Sequence, residues 1–289
     1  MKPLLVIGSQ GQLARAFKAS SPDAIFLNRD EADLAKPEQV VEALKCHEPR
    51  AIVNAAAYTQ VDQAENEEEL ATLVNGETPA AIARYCAQTN IPFMHFSTDY
   101  VFDGAGDKPH KEDEAPRPLN AYGRSKLAGE RGIAEAGGRY LIFRTSWVYG
   151  AKGKNFLNTI LRLAAEREEL RVIDDQHGAP TYSRHLARAA LAALDKAETN
   201  TRFPAGLYHL CNAGETSWHG FACAIIEHAR KMGLPVKAGE VHAIPSSAYP
   251  LPAARPLNSR LDCTKAQSMF GVSLRPWQDG LSECMERKK

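Results

Sequence analysis

The chain has 289 residues, with 35 basic side chains against 35 acidic ones and a formal net charge of zero. That balance removes the electrostatic footprint of a general nucleic-acid binder and of a polybasic membrane anchor, and no apolar run approaches the roughly 20 residues that span a bilayer. Apolar residues at 44% and charged residues at 24% fit a globular chain of one large domain or two modest ones.

The opening MKPLLVIGSQG does not read as a signal peptide, because its short apolar stretch runs straight into a glycine turn. The expectation is therefore a cytoplasmic protein with no membrane partner. Six cysteines are scattered without CxxC spacing and read as buried or free thiols, with Cys46, Cys86 and Cys223 in helical runs that suggest packing. The nine histidines show no ligand spacing for zinc.

In chain order, apolar runs at 4–8, 24–28, 51–57, 92–98 and 140–147 read as strands buried on both faces. Between them lie helical stretches at Gln12–Ala19, Pro37–Cys46, two helices between Ala64 and Thr89, and Ala121–Ala136. Such alternation predicts an α/β fold with a doubly wound parallel sheet of the Rossmann type. Residues 102–120 break the rhythm with a Gly- and Pro-rich loop after a strand end, where open sheets bind ligands.

After Trp147 the alternation loosens. Helices at Asn155–Arg167, Arg184–Lys196 and Trp218–Met232, strands at Leu170–Asp174 and Leu207–Leu210, a Pro-rich stretch (Ala243–Asn258) and two short C-terminal helices are readable. The expected organisation is a cofactor-binding domain over 1–148, with 184–210 returning to it, and a smaller α/β substrate-binding domain over 149–289.

Gly8–Ala14 (GSQGQLA) follows the first strand and opens a helix, a GxxGxxA variant of the dinucleotide fingerprint. Gly8 permits the sharp turn, Gly11 lets backbone approach a pyrophosphate, and Ala14 allows close helix–sheet packing. The helix N-terminus offers free N–H groups to phosphate. At the end of the second strand stands Asn28-Arg29 where an NAD site usually carries a carboxylate. Arg29 can pair with a 2′-phosphate, which favours NADPH, with NADH also accepted; Asp30, next in the chain, works against that preference. The small residues Ala55, Ala56 and Ala57 after the third strand let backbone come close to a bound ring, or else simply pack strand against helix.

Tyr122 and Lys126 form a YxxxK pair at the start of a helix, on one face. Such pairs arise by chance; the order of glycine turn, Ser97-Thr98-Asp99 after the fourth strand, then YxxxK gives this one weight. A hydride arriving at a ketone leaves an alkoxide that needs a proton. Tyrosine, with an unperturbed pKa of roughly 10, is protonated at neutral pH and can donate. Lys126 eases that transfer and can hold the nicotinamide ribose, while Thr98 can hydrogen-bond the ketone oxygen.

These segments, with IVNAAAYTQVDQAE, STDYVFDG, RTSWVYG, VIDDQHGAPTY, GLYHLCNAGETSWHGFA and PSSAYPLPAARPLNSRL, resemble the extended short-chain dehydrogenase/reductases, and more narrowly the dTDP-4-dehydrorhamnose reductase family. The resemblance runs over nearly the whole chain. It implies Tyr122 as proton donor, Lys126 as its partner and Thr98 as third catalytic group. Gly11-Gln12-Leu13, Asp33-Leu34 and Ala57-Tyr58-Thr59 match cofactor-contacting positions; Asp99 and Trp147 match positions that contact the sugar nucleotide. Gln176, His177, Arg255 and Asn258 are weaker candidates for the same pocket, and a surface-loop role is equally open for each. The implied reaction is reduction of C4 of dTDP-4-dehydro-β-L-rhamnose by NAD(P)H to dTDP-β-L-rhamnose, a donor for cell-surface polysaccharide.

Some family members join subunits through Mg²⁺ held by a glutamate on the helix after the glycine turn. The matching residue here is Ala16, which cannot ligate a metal, so no metal site and a monomer or weak homodimer are expected. Rival readings remain. A 4,6-dehydratase is disfavoured because Tyr100 stands where a second carboxylate is needed. A 4-epimerase or a reductase of another nucleoside-diphosphate deoxysugar is open. So is a non-catalytic NADP-binding regulatory subunit, since the beta subunit of methionine adenosyltransferase resembles the same family.

Overall fold

A computed structural model describes residues 2–288. The first half runs β1 (Leu4–Ile7), α1 (Gln12–Ser20), β2 (Ile25–Leu27), α2 (Pro37–Lys45), β3 (Ala51–Asn54), α3 (Val61–Ala64), α4 (Glu68–Thr72), α5 (Thr78–Thr89), β4 (Phe93–Thr98), α6 (Ala121–Ala136) and β5 (Tyr140–Thr145). It continues with β6 (Val148–Tyr149), α7 (Phe156–Glu166), β7 (Glu169–Ile173), β8 (His177–Gly178), β9 (Thr181–Tyr182), α8 (Ser183–Thr199) and β10 (Gly206–His209). Last come β11 (Thr216–Ser217), α9 (Trp218–Lys231), β12 (Glu240–Ile244), α10 (Thr264–Phe270) and α11 (Trp277–Glu286).

Six strands form one sheet in the order β10-β5-β4-β3-β1-β2, every pairing parallel. The sheet is buried on both faces, which is why its strands read as unbroken apolar runs. In β1 the alternation is visible: Leu4 and Val6 belong to a core with Phe17 and α8, while Leu5 and Ile7 belong to a core with Val40, Leu44 and Ile82. Ala187, Ala190, Ala193 and Ala197 of α8 are buried in the first of these; side chains so small let α8 lie close to α1. The chain leaves β1 for β2 on one side and for β3 on the other, so the switch point and its crevice lie between β1 and β3.

β10 pairs β5 at the edge of the main sheet, and α8 packs in the core on one face of it. The structure adds α10, whose Ala266 and Phe270 join the same core. A separate core gathers α7, α9 and α11 over β7 and β12 through Leu157, Val172, Phe221, Ile225 and Leu281.

Some expectations need correction. The third strand stops at Asn54 instead of continuing to 57, because the Asn54 side chain accepts the Ala56 N–H at 3.1 Å and turns the chain out of the ladder. The two helices expected between Ala64 and Thr89 are present as α4 and α5, but they are joined without a break by a π-helical turn over Leu73–Glu77. β12 takes Ala243 and Ile244 from the Pro-rich stretch, in parallel register with β7. Cys46 is exposed beyond the end of α2 and packs in no core. Among the described residues no helix is long and apolar enough to cross a membrane.

The 102–120 loop is tied to the C-terminal segment. His110 N–H donates to Arg260 O at 2.8 Å and Asp262 N–H to His110 O at 2.8 Å, while the His110 ring stacks on Phe102 at 4.3 Å.

Candidate active site

A cavity of about 1170 Å³ opens at the carboxyl ends of β1 to β5. Its floor at one end is the turn after β1. Gly8 sits at φ +100°, and a Cβ there would stand 3.2 Å from the Ala56 Cβ. Both the backbone angle and the close approach demand glycine. Gly11 caps α1 in extended conformation, with no side-chain cap and no acidic residue in the first turn. The first N–H groups of α1 therefore face the cavity unsatisfied, a ready anion site.

The end of β2 supplies the next stretch of wall. Asn28 Oδ1 accepts the Asp30 N–H at 2.7 Å, and the exposed Arg29 has its Nε 3.5 Å from Asp33 Oδ1. Across the crevice, Tyr58 N–H donates to Asn75 Oδ1 at 2.9 Å, and Asn75 Nδ2 donates to Ser125 Oγ at 3.0 Å. The π turn thereby docks on α6, where Gly129 allows the approach: a Cβ there would collide with Asn75 O.

At the other end stand the residues for chemistry. Thr98 closes β4, and Tyr122 and Lys126 lie one turn apart at the start of α6. That helix begins where it does because Asn120 Oδ1 accepts the Gly123 N–H at 2.7 Å and Glu65 accepts the Ala121 N–H at 2.7 Å. Thr98 Oγ1 donates to Asp99 Oδ1 at 3.0 Å and accepts the Tyr100 N–H at 3.2 Å. Burial pushes the Tyr122 phenol up, the Asp99 charge adds to this, and Thr98 opposes it; the phenol is a proton reservoir at neutral pH. Tyr100 meets Tyr122 edge-on at 5.8 Å.

Lys126 is fully enclosed. Its Nζ donates to Phe96 O at 2.6 Å and lies 3.1 Å from His95 Nε2. His95 Nδ1 is in turn 3.3 Å from Asn54 Nδ2. Burial pulls the Lys126 ammonium down to about 8, with Glu130 resisting. Burial raises the Asp99 carboxyl to about 6 against hydrogen bonds from Ser259 and Thr98, and its Oδ2 has no partner. Beneath the site Glu130 grips Arg144 through two bonds, 2.8 and 2.6 Å, and accepts from Ser97 Oγ at 2.5 Å.

The cavity wall brings together Gly8, Gly11, Gln12, Leu13, Asn28, Arg29, Asp33, Leu34, Ala55 to Thr59, Thr98, Asp99, Tyr122, Lys126 and Trp147. The four weaker candidates stand outside that wall. Gln176 is buried and bonded to Trp218 and Ser246. Asn258 is buried, donating to Lys108 O and accepting from Arg260. His177 is an exposed residue of β8. Arg255 forks onto Asp62 at 2.8 and 2.7 Å. Gln176, Asn258 and Arg255 thus have side-chain atoms committed to protein partners, and the exposed His177 is not part of the cavity wall. Sequence reasoning missed His95 and Asn54, whose signal was a polar residue inside a strand buried on both faces. It also missed Gly153 and Lys154, which reach the cavity from the loop before α7.

The family model described as RmlD substrate binding domain matches residues 1–289. The chain is 44% identical to dTDP-4-dehydrorhamnose reductase of Burkholderia thailandensis, covering 98% of this chain and 97% of that one. It is 47% identical to the reductase of that name from Escherichia coli K12, over 88% of this chain and 84% of that one. Among solved structures it resembles dTDP-4-dehydrorhamnose reductase of Bacillus anthracis in complex with NADP, with TM-score 0.91, 31% identity and 99% of each chain covered. On these likenesses the chain belongs to the RmlD family, that of the dTDP-4-dehydrorhamnose reductases.

Proposed function

We propose that this protein reduces the C4 ketone of dTDP-4-dehydro-β-L-rhamnose with NADPH to dTDP-β-L-rhamnose, the last step in making that donor for cell-surface polysaccharide. The observation that carries the reading is that Thr98, Tyr122 and Lys126 share one cavity with Gly8 and the uncapped start of α1. A cavity of about 1170 Å³ is large enough for a dinucleotide and part of a sugar nucleotide together.

The residues fit the cofactor. The N–H groups of Gly11 to Leu13 take the pyrophosphate, Arg29 takes the 2′-phosphate, Asp33 and Leu34 flank the adenine, and Ala55 to Thr59 let backbone approach the remainder. Bound NADPH supplies the hydride for the sugar carbon. The chain's own part is the proton: Tyr122 holds it on its phenol oxygen at neutral pH and releases it to the alkoxide. The single Thr98 hydroxyl proton is donated to Asp99 Oδ1, so Thr98 donates to the same oxygen only when that bond is released. Lys126 lowers the cost of the tyrosinate that forms and holds the cofactor ribose. Asp99 and Trp147 bound the sugar. Arg255 reaches the diphosphate only by releasing Asp62, and Gln176, His177 and Asn258 make no direct contact. Ala16, buried in the core, offers no ligand for a bridging metal.

The test is NADPH consumption followed by nicotinamide absorbance with freshly generated dTDP-4-dehydrorhamnose, and identification of the product. Oxidation yielding dTDP-rhamnose is the expected result. Absence of turnover with NADPH binding intact overturns the proposal in favour of another deoxysugar ketone or a regulatory subunit.

A further inference from the structure

Trp147 is a bulky residue with φ of +48°, a conformation that persists only where the surroundings impose it. Its ring lines the cavity, and three parts of the second half of the chain hold it. Gly178 passes beneath, so close that a Cβ there would stand 2.9 Å from the indole. Trp218, the first residue of α9, stacks on it with centroids 3.7 Å apart and planes 11° from parallel. Phe156 packs against Trp218 at 4.5 Å.

Trp218 is itself tied down. Its Nε1 donates to Gln176 Oε1 at 3.1 Å, and Gln176 Nε2 donates to Ser246 Oγ at 2.9 Å. Ser246 Oγ then donates to Asp175 at 2.6 Å. Trp218, Gln176 and Ser246 are absent from the cavity wall, so they can influence a ligand only through the ring they hold.

The geometry points to Trp218 as a positioning residue for the nucleotide sugar: it covers one side of the Trp147 indole and leaves the rest of that ring facing the cavity, with Gln176 fixing the stack. This inference rests on the proposed role of Trp147 as a substrate contact. It turns Gln176 from a ligand contact into a strut. It also explains how α9 and Ser246, which do not themselves line the cavity, contribute to one wall of the site.

The experiment uses the full chain with Trp218→Ala, Trp218→Phe, Gln176→Leu and Trp147→Ala. Two stacked indoles give an exciton-coupled band in far-ultraviolet circular dichroism, a readout independent of turnover. Trp218→Ala should abolish that band and raise KM for dTDP-4-dehydrorhamnose about tenfold, the scale of one lost aromatic pair. KM for NADPH should stay within about twofold, and Trp218→Phe should restore most of the substrate affinity. Gln176→Leu should weaken the band and raise the same KM by a smaller factor. An unchanged substrate KM in Trp218→Ala with the band gone, while Trp147→Ala raises it, refutes the positioning role alone. No effect in either variant refutes the contact role of Trp147 and the inference with it. A parallel rise in both KM values identifies a general structural role and also refutes it. If Trp218→Ala fails to fold, Trp218→Phe and Gln176→Leu decide by the same readings.

Discussion

Asp99 is a carboxyl that folding places where its charge is disfavoured, and replacing it with asparagine should expose that cost. The side chain is 2% exposed, one oxygen has no partner, and burial raises its pKa from 3.8 to about 6 despite hydrogen bonds from Ser259 and Thr98. Between those two values the folded protein holds a proton that the unfolded chain has lost. Wild-type stability therefore falls as pH rises through that window, by about 3 kcal/mol once both states are ionised. The amide of the Asp99→Asn variant does not titrate. Whatever contact energy the substitution itself changes is the same at every pH, so the informative quantity is the slope of the difference. Urea unfolding of Asp99→Asn and wild type, followed by fluorescence, should show the difference shift in favour of the variant by about 2 kcal/mol between about pH 4.5 and about pH 7. A difference independent of pH would refute the reasoning, because it would mean that Asp99 titrates alike in both states. The same cost explains why the residue suits its place: a carboxyl poised near neutrality beside Thr98 can change how it orders that hydroxyl.

Other substitutions test neighbouring parts of the site. Tyr122→Phe removes only the proton donor, so kcat should fall roughly 100-fold or more while NADPH affinity, measured by fluorescence titration, stays unchanged; retention of most activity removes Tyr122 from its role. Arg29→Ala should raise KM for NADPH much more than for NADH, and equal effects would end the argument for a 2′-phosphate contact. Glu130→Ala strands the buried Arg144 guanidinium and should cost about 3–5 kcal/mol in denaturant unfolding; a loss below about 1 kcal/mol would show that the fork contributes little.

Much of the fold was legible because its signals are local. Buried parallel strands announce themselves as apolar runs, Pro37 marks the first turn of α2, and Gly8 occupies a backbone angle that few other residues tolerate. The candidate site was legible in part for the same reason. In a doubly wound sheet the ligand lies at strand carboxyl ends, so Gly8, Thr98 and the Tyr122–Lys126 helix had to converge once their order in the chain was known. Short strands such as β6, β8, β9 and β11 carried no readable period, and β12 was masked by the proline at 245.

Other features are decided by contacts between distant segments, which no window of sequence contains. Lys126 meets His95, and through it Asn54, because α6 packs against β4, which pairs with β3. Arg255 is drawn to Asp62 across 193 positions, and the thiols of Cys211 and Cys263, 52 apart, come within 3.6 Å. Gln176 carries the lesson best: as a polar residue in a loop it looked like a ligand contact, and only the packing of α9 against the turn after β5 makes it the support of an indole. From residue type and spacing alone came the strand–helix alternation, the glycine turn and the Tyr122–Lys126 pair on one helix face, since these depend on backbone angles, periodicity and side-chain chemistry within a few residues. Which polar groups stay free for a ligand was settled by the tertiary structure, because a donor's availability depends on whether some remote acceptor has already claimed it.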